Sequence, residues 1–231
     1  MSDAEFDRFA TDYRQVLDRS LAVSGEDSAY FARGRVNWLR RALGPEAGGV
    51  RALIDYGCGP GNVTPFLLEA FPDARLTGVD VSEKSIAEAK ARHGGDRTRF
   101  EILGAVPPTP GADLVHCNGV FHHIPITERP GALAWVRDSL RPGGWFALFE
   151  NNAWNPVVRW AMDRCPFDTD ADPINPSHAV RLVRAAGFEV VRVDHLFFFP
   201  RAMAFLRPIE PALRAVPMGG QYLVLARLSR A

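Results

Sequence analysis

Along most of the chain, continuous apolar runs alternate with segments whose apolar positions recur at helical spacing. Ala52-Leu53-Ile54 is a continuous apolar run, which is typical of a parallel strand covered on both faces. From Val63 to Phe71 the apolar positions instead recur at helical spacing. This alternation of strand and helix patterns continues as far as residue 150. Strands that alternate with helices pair in parallel through right-handed crossovers. The pattern therefore predicts an α/β fold.

The same pattern gives the bounds of the expected elements. Strands are expected at 52–57, 75–81, 98–103, 113–120, 145–150, 188–199 and 221–228. Helices are expected at 4–43 (with interruptions), 60–71, 83–93, 129–140 and 177–186, followed by a helical segment at 201–216. Ser82 and Ser177 are the expected caps of the helices at 83–93 and 177–186. A proline-rich stretch, 106–111, replaces the helix between the third and fourth strands, a tight turn is expected at 141–144, and 152–176 is expected to be irregular.

Composition and charge narrow the classes of function. The 231 residues are 47% apolar and 23% charged, with a formal net charge of zero. A nucleic-acid enzyme usually carries a basic surface, so the neutral charge argues against a nucleic-acid partner. The three cysteines are far apart in sequence, which fits a reducing compartment.

The sequence also predicts where the protein resides. Its charged N-terminus lacks the apolar centre of a signal peptide. Its longest strongly apolar stretch, 196–206, contains Pro200 and Arg201 and is too short to span a bilayer. We therefore expect a cytoplasmic protein without stable membrane insertion.

A glycine-rich turn follows the first strand. Asp55-Tyr56-Gly57-Cys58-Gly59-Pro60-Gly61 has the pattern acid-x-G-x-G-x-G, whereas the dinucleotide pattern G-x-G-x-x-G fails at Asn62. Glycines allow a sharp turn and the close approach of a ligand. Asp80 ends the second strand, where a carboxylate can accept hydrogen bonds from ribose hydroxyls. An acid beside the glycines disfavours a pyrophosphate and favours a cationic group.

Four segments carry a family resemblance: LIDYGCGPGNVT, LTGVDVSEKSIAEAK, ADLVHCNGVFHHI and LRPGGWFALFE. They resemble the class I S-adenosylmethionine-dependent methyltransferases, particularly the small-molecule branch that includes ubiquinone and menaquinone biosynthesis enzymes. The resemblance implies a doubly wound, mostly parallel seven-stranded Rossmann-like sheet with an N-terminal helical lid and an antiparallel last strand. We expect one domain over 1–231, with the lid at 1–49, a cofactor-binding core at 50–150 and a substrate side at 151–231.

The resemblance also implies the cofactor and its contacts. S-adenosylmethionine would be bound and S-adenosylhomocysteine released. The glycine turn would cradle the methionine and ribose part, Asp80 would hold the ribose hydroxyls, and Val81 would lie against the adenine. The family often has an Asp where this chain has Gly104-Ala105, which leaves the adenine to backbone groups or packing. The expected cofactor-binding residues are Asp55, Gly57, Gly59, Gly61, Asp80, Val81, Ala105, Asn118 and Gly119.

Two histidines follow the fourth strand, next to the expected position of the methyl group. His122 and His123 are candidate general bases, because histidine is suited to proton transfer near neutral pH. The alternative is that one caps the loop and the other packs under the cofactor. Glu150 and Asn151 follow the fifth strand and face the same crevice, where they would bind substrate or satisfy loop backbone groups.

Candidate acceptor contacts also come from outside the core. Tyr13 and Tyr30, in the N-terminal helices, are expected to bind substrate or to pack. The C-terminal third is apolar and aromatic and would either wall a pocket for an apolar or lipid-linked acceptor, with transient lipid contact, or form ordinary core. Nearby arginines would touch anionic headgroups or remain on the surface. These residues are Trp154, Trp160, Phe167, Leu196, Phe197, Phe198, Phe199, Met203, Phe205 and Leu206, with Arg201, Arg207 and Arg214.

The leading hypothesis is methyl transfer to oxygen, nitrogen or carbon of a small-molecule acceptor: a secondary metabolite, a quinone-like compound, a sugar or a lipid-linked compound. The alternatives are a nicotinamide-dependent oxidoreductase and a cofactor-binding subunit without catalysis. A metal is not expected, because His116 and Cys117 are adjacent in a strand and point to opposite faces.

Overall fold

The strands form one mixed sheet. The computed structural model describes residues 21–164 and 171–229. Its strands are β1 (Ala52–Tyr56), β2 (Arg75–Asp80), β3 (Thr98–Ile102), β4 (Ala112–Asn118), β5 (Leu140–Asn151), β6 (Phe188–Leu196) and β7 (Gln221–Leu228). They lie in the order β3-β2-β1-β4-β5-β7-β6. Neighbours from β3 to β5 are parallel, and β7 is antiparallel to both β5 and β6. The predicted Rossmann-like sheet with an antiparallel last strand is confirmed.

Helices cover both faces of the sheet. They are α1 (Ser28–Leu43), α2 (Thr64–Ala70), α3 (Glu83–His93), α4 (Arg129–Ser139), α5 (Pro156–Met162), α6 (Pro176–Ala185) and α7 (Glu210–Leu213). Short 3-10 turns lie at Ala22–Ser24, Gly44–Gly49, Phe121–His123 and Arg201–Ile209. Side chains of α1, α2 and α3 enter one buried cluster and those of α4 and α6 enter another. The result is a three-layer α/β/α arrangement.

Side-chain caps explain where several helices begin. The predicted cap of α3 is confirmed, because the Ser82 side chain accepts from the Ser85 N–H at 3.1 Å. The predicted cap of α6, Ser177, is wrong, because the Asn175 side chain accepts from the His178 N–H and Pro176 opens the helix. Proline is favoured at the first helical position, where its missing N–H costs nothing.

Three regions differ from the sequence-based expectation. The expected turn at 141–144 lies within β5, where Ala112 pairs with Leu140 and a register shift absorbs the irregularity. The expected irregular region contains α5, because Asn155 accepts from the N–H groups of Val157 and Val158. The strand expected at 188–199 is shorter than predicted, because β6 ends at residue 196.

The N-terminal region is described in part. The helical pattern expected over 4–43 is represented by α1, which starts after its N-cap Asp27. Residues 1–20 and 165–170 lie outside the described ranges. Within the described ranges, no helix is both long enough and apolar enough to cross a membrane. The cytoplasmic location and the division into lid, core and substrate side stay predictions.

Candidate active site

The glycine turn joins β1 to α2 in a left-handed backbone conformation. The φ angles of Gly57, Gly59 and Gly61 are +73°, +51° and +79°, a region that residues with a Cβ rarely adopt. A Cβ added at Gly57 would lie 2.3 Å from Cγ2 of Val120, whereas a Cβ at Gly59 would meet no heavy atom within 4 Å. Gly57 is therefore fixed by packing as well as by φ, and Gly59 borders open space.

This difference predicts the ranking of two matched variants. Gly57→Ala should lower the free energy of unfolding by about 1–3 kcal/mol, because left-handed strain and a steric overlap act together. Gly59→Ala introduces the backbone strain without the steric overlap, so it should lower the free energy of unfolding by less. Thermal unfolding of the two purified variants measures the ranking. Equal melting temperatures would show that Val120 does not constrain the turn.

Asp80 ties the glycine turn to the end of β2. Its Oδ2 accepts from the Gly59 N–H at 2.8 Å, and its Oδ1 accepts from the Ser82 N–H at 2.9 Å. Burial raises the pKa of the Asp80 carboxyl above its usual range, and the N–H donors of Ser82 and Gly59 partly oppose that rise. A carboxylate kept in place by two backbone donors has lone pairs directed at further donors.

A buried acid–histidine pair lies beneath the turn. Asp55 in β1 and His116 in β4 are register partners, and Asp55 Oδ1 is 2.8 Å from His116 Nδ1. Both side chains are closed to solvent, and neither Asp55 Oδ2 nor His116 Nε2 has a hydrogen-bond partner among the described residues. Asp55 thus makes a structural contact to His116 through Oδ1, which was not predicted from the sequence, and its Oδ2 is still able to accept a hydrogen bond.

The other expected cofactor residues surround the same strand ends. Asn118 ends β4, and its buried Oδ1 has no partner among the described residues. Gly119 has φ +65° and donates its N–H to the Phe149 carbonyl. Val81 is 39% exposed for an apolar side chain, and Ala105 is exposed after β3. Gly59 borders open space, the Asp80 carboxylate is held in place, and two acceptor oxygens, on Asp55 and Asn118, have no described donor. These features suit a cationic ligand that carries a ribose.

A cleft of about 430 Å³ opens beside these strand ends. Asn118, Gly119, His122 and His123 line it on the sheet side. Helices α1 and α5 and the segment 197–200 line it elsewhere. Pockets of this size hold small molecules.

His122 forms a buried pair with Glu150 at the edge of the cleft. Its Nδ1 lies 2.5 Å from Glu150 Oε2, and Glu150 Oε1 accepts from the Phe121 N–H at 2.8 Å. Only 4% of His122 and 1% of Glu150 is exposed. A carboxylate on Nδ1 selects the tautomer in which Nε2 is the basic nitrogen.

The turn that carries His122 is hydrogen-bonded to the segment that begins at Ala171. Arg129 at the start of α4 is fully buried, and its Nε donates to the carbonyls of Phe121 and Ile124. Its Nη2 donates to the carbonyl of Asp172, whose N–H in turn donates to the His122 carbonyl at 2.8 Å. These bonds keep the His122 backbone in place from two sides.

Aromatic rings line another part of the cleft. Phe197 has φ +62° just after β6, an uncommon conformation for a residue with a large side chain, and such strain concentrates at functional sites. Its ring fills the space above Gly34, where an added Cβ would lie 2.7 Å from Phe197 Cε1. The rings of Phe31 and Phe197 meet edge to face at 4.9 Å, and Tyr30 lies beside both.

Several predicted acceptor residues lie at the cleft and others do not. Tyr30, Asn151, Arg207 and the three phenylalanines 197–199 line it. Glu150 has both oxygens bonded within the chain, so its carboxylate is not open to an acceptor in the way the sequence suggested. Tyr13 and Phe167 lie outside the described residues. Met203, Phe205, Trp154 and Trp160 are exposed, and Arg214 pairs with Asp194.

Sequence reasoning missed two polar residues of the cleft. Arg35 in α1 donates from Nη1 to Gln221 Oε1 at 2.9 Å, and Gln221 Nε2 donates to Asn151 Oδ1 at 3.0 Å. Arg35 and Gln221 are 186 positions apart, so no local pattern connects them. No group of three His, Cys, Asp or Glu that could hold a metal occurs in the part of the chain that the structure describes.

Comparison with known families finds a match over the core. Residues 54–146, which span the glycine turn, Asp80 and the His122 turn, match the family described as "Methyltransferase domain". The chain is thus similar, over this core, to methyltransferase domains. Its fold is that of the S-adenosylmethionine-dependent methyltransferases, since a structure of such an enzyme from Mesorhizobium loti superposes with a TM-score of 0.60 at 21% identity, covering 83% of this chain and 97% of that one.

Curated relatives have higher sequence identity to part of the chain. The trans-aconitate 2-methyltransferase of Sinorhizobium fredii is 40% identical over 100 residues, which are 41% of this chain and 36% of the relative. The protein of that name from Mycobacterium tuberculosis is 37% identical over 154 residues, 61% of this chain and 57% of the relative. The chain thus covers less than two thirds of these relatives.

The sheet order bears on the nicotinamide alternative. A dinucleotide-binding sheet has the strand order 3-2-1-4-5-6. In the sheet of this chain, antiparallel β7 lies between β5 and β6. This order and the family match both favour the methyltransferase interpretation.

Proposed function

We propose that the chain transfers a methyl group from S-adenosylmethionine to an oxygen or nitrogen of a small molecule bound in the cleft. The observation that carries the proposal is the position of the His122–Glu150 pair. It lies at the edge of a small-molecule cleft whose sheet side is formed by Asn118 and Gly119, next to the glycine turn. A donor on the turn and an acceptor in the cleft would meet at these strand ends.

The chain's own residues would hold the cofactor. The left-handed glycine turn lets the backbone approach it, and Asp80 would accept from the ribose hydroxyls. Asn118 Oδ1 and Asp55 Oδ2 are acceptors without described donors, which suits a nearby cationic amino group. When bound, the cofactor supplies a methyl group on a positively charged sulfur and leaves as S-adenosylhomocysteine.

His122 would act as the general base. Its Nε2 would take the proton of an acceptor hydroxyl or amine while Glu150 stabilises the imidazolium through Nδ1. A base contributes about 10²–10⁴-fold in rate, and aligning the reactants contributes about 7–11 kcal/mol. Glu150 is then a positioning residue, and His123, whose ring centroid is 4.0 Å from that of His122, would border the acceptor.

The acceptor can be defined in part. Aromatic rings on one wall support an apolar or aromatic body, within the wider group of secondary metabolites, quinone-like compounds, sugars and lipid-linked compounds. The names of the relatives add carboxylic acids to the compounds worth testing.

The proposal is tested by methyl transfer from isotopically labelled S-adenosylmethionine. The purified chain is incubated with a panel of phenols, hydroxy acids, amines and trans-aconitate, and labelled products and S-adenosylhomocysteine are measured together. We expect labelled product from at least one hydroxyl or amine acceptor, and about 10²–10⁴-fold slower product formation by the His122→Gln variant. Cofactor binding without any transfer across the panel would favour the non-catalytic subunit.

A further inference from the structure

The cleft of the proposed methyltransferase contains a guanidinium group that the reaction does not use. Arg207 follows the strained aromatic segment in sequence and lines the cleft beside Tyr30, with its guanidinium carbon 4.5 Å from the centre of the Tyr30 ring. Its Nη1 binds Glu26 at 2.9 Å, and its Nε donates to the Phe199 carbonyl at 3.2 Å. Its Nη2 is buried and has no hydrogen-bond partner among the described residues.

An N–H donor of a charged group that is closed to water and lacks an acceptor is costly to a folded protein. Such groups are rare, and each calls for an explanation. Arg207 is held by three contacts, to Glu26, to Phe199 and to the Tyr30 ring, so its position is fixed before any ligand enters. A preorganised guanidinium with one donor to spare is suited to a carboxylate.

The charges around the cleft are unequal. Among its described lining residues, Arg35 and Arg207 supply two positive charges and Glu26 supplies one negative charge, which leaves one positive charge with the histidines neutral. The nearby acid Glu210 is buried and does not line the cleft, and its Oε1 accepts from the N–H groups of Phe198 and Phe199. The remaining wall is mostly aromatic and aliphatic.

We infer that the acceptor is an apolar, preferably aromatic, hydroxy acid with a single carboxylate. The carboxylate binds Arg207, the apolar body lies along Phe197–Phe199, and the hydroxyl faces His122. A compact tricarboxylate such as trans-aconitate carries three negative charges, whereas this cleft offers it one unneutralised positive charge and aromatic side chains. The inference rests on the proposed function, because it assigns an acceptor to the same cleft.

The test compares matched ligands and variants in a direct binding measurement. Hydroxycinnamic and hydroxyphenyl fatty acids of increasing chain length are titrated calorimetrically into the S-adenosylhomocysteine-loaded protein, each beside its neutral amide, with trans-aconitate in parallel. We expect at least one acid to bind about tenfold tighter than its amide, because a hydrogen bond to a charged group contributes at least that much. We expect trans-aconitate to bind more weakly than that acid.

Two substitutions should change the affinity for the acid in opposite directions. Arg207→Gln should weaken binding of the acid about tenfold and binding of the amide little. Glu26→Gln should strengthen binding of the acid a few-fold, because Arg207 then has no competing carboxylate. Arg201→Gln, an exposed position of the same segment, should change neither. If Arg207 were only structural, both cleft variants would weaken the acid and the amide alike.

Failure of this inference is separable from failure of the proposed function. Equal affinity for acids and amides, preference for trans-aconitate, or no binding of any acid to protein that binds S-adenosylhomocysteine would overturn the hydroxy-acid assignment alone. Absence of S-adenosylhomocysteine binding would overturn the proposed function.

Discussion

His122→Gln should lower kcat by about 10²–10⁴-fold while the affinity for S-adenosylhomocysteine stays near that of the wild type. Glutamine keeps a polar side chain of similar reach but cannot take up the acceptor's proton. The effect should appear in kcat rather than KM, because the lost contribution belongs to the transition state. Labelled-methyl transfer gives kcat, and calorimetry gives the affinity.

Glu150→Gln distinguishes a catalytic pair from a merely packed one. The amide can still accept from the Phe121 N–H, but its NH₂ group would face His122 Nδ1 and favour the wrong tautomer. We expect a kcat loss and an altered dependence of kcat on pH, with little change in melting temperature. His178→Gln, on α6, is the matched control and should behave as wild type. If kcat and cofactor affinity fall together in both cleft variants, the pair is structural.

Asp80→Ala should weaken S-adenosylhomocysteine binding by about 1.5–3 kcal/mol, the range for losing hydrogen bonds to a charged group. The substitution removes the expected ribose acceptor and also the carboxylate that receives the Gly59 and Ser82 N–H groups. Asp73→Ala removes an exposed acid paired with Arg51 and should leave the affinity unchanged. Unchanged affinity in Asp80→Ala would show that the ribose lies elsewhere.

The raised pKa of Asp80 adds a pH dependence to the same prediction. A folded-state pKa above the unfolded value means that the protonated carboxyl contributes stability below the unfolded-state pKa, and that this is lost as pH rises through the raised value. The ionised form needed at neutral pH is therefore costly without a ligand. Affinity for S-adenosylhomocysteine should fall as the pH is lowered through that raised pKa, earlier than for an ordinary aspartate, and Asp80→Ala should lose this dependence.

The fold, the glycine turn and the position of Asp80 at the end of β2 could be predicted from sequence, because their signals are local. The glycine turn, Asp80 and the Ser82 cap each depend on a few neighbouring residues and on the end of one strand. The antiparallel last strand followed from the resemblance rather than from periodicity. The extension of β5 back to Leu140 was missed, since Pro142-Gly143-Gly144 has the composition of a turn.

Pairings across the sheet were harder to predict. Asp55 and His116 meet only because β1 and β4 align in one register, and His122 meets Glu150 across 28 positions of chain. Both histidine positions were visible in the sequence, but the partner of each depends on strand order. Arg35 and Gln221 meet across a still longer separation, so this part of the cleft lining had no sequence signature.

Calorimetric titration of the purified wild-type chain with S-adenosylhomocysteine, with NADH in parallel, shows whether this chain uses S-adenosylmethionine. We expect micromolar binding of S-adenosylhomocysteine and none of NADH. Binding of NADH alone, or of neither compound, would contradict this expectation.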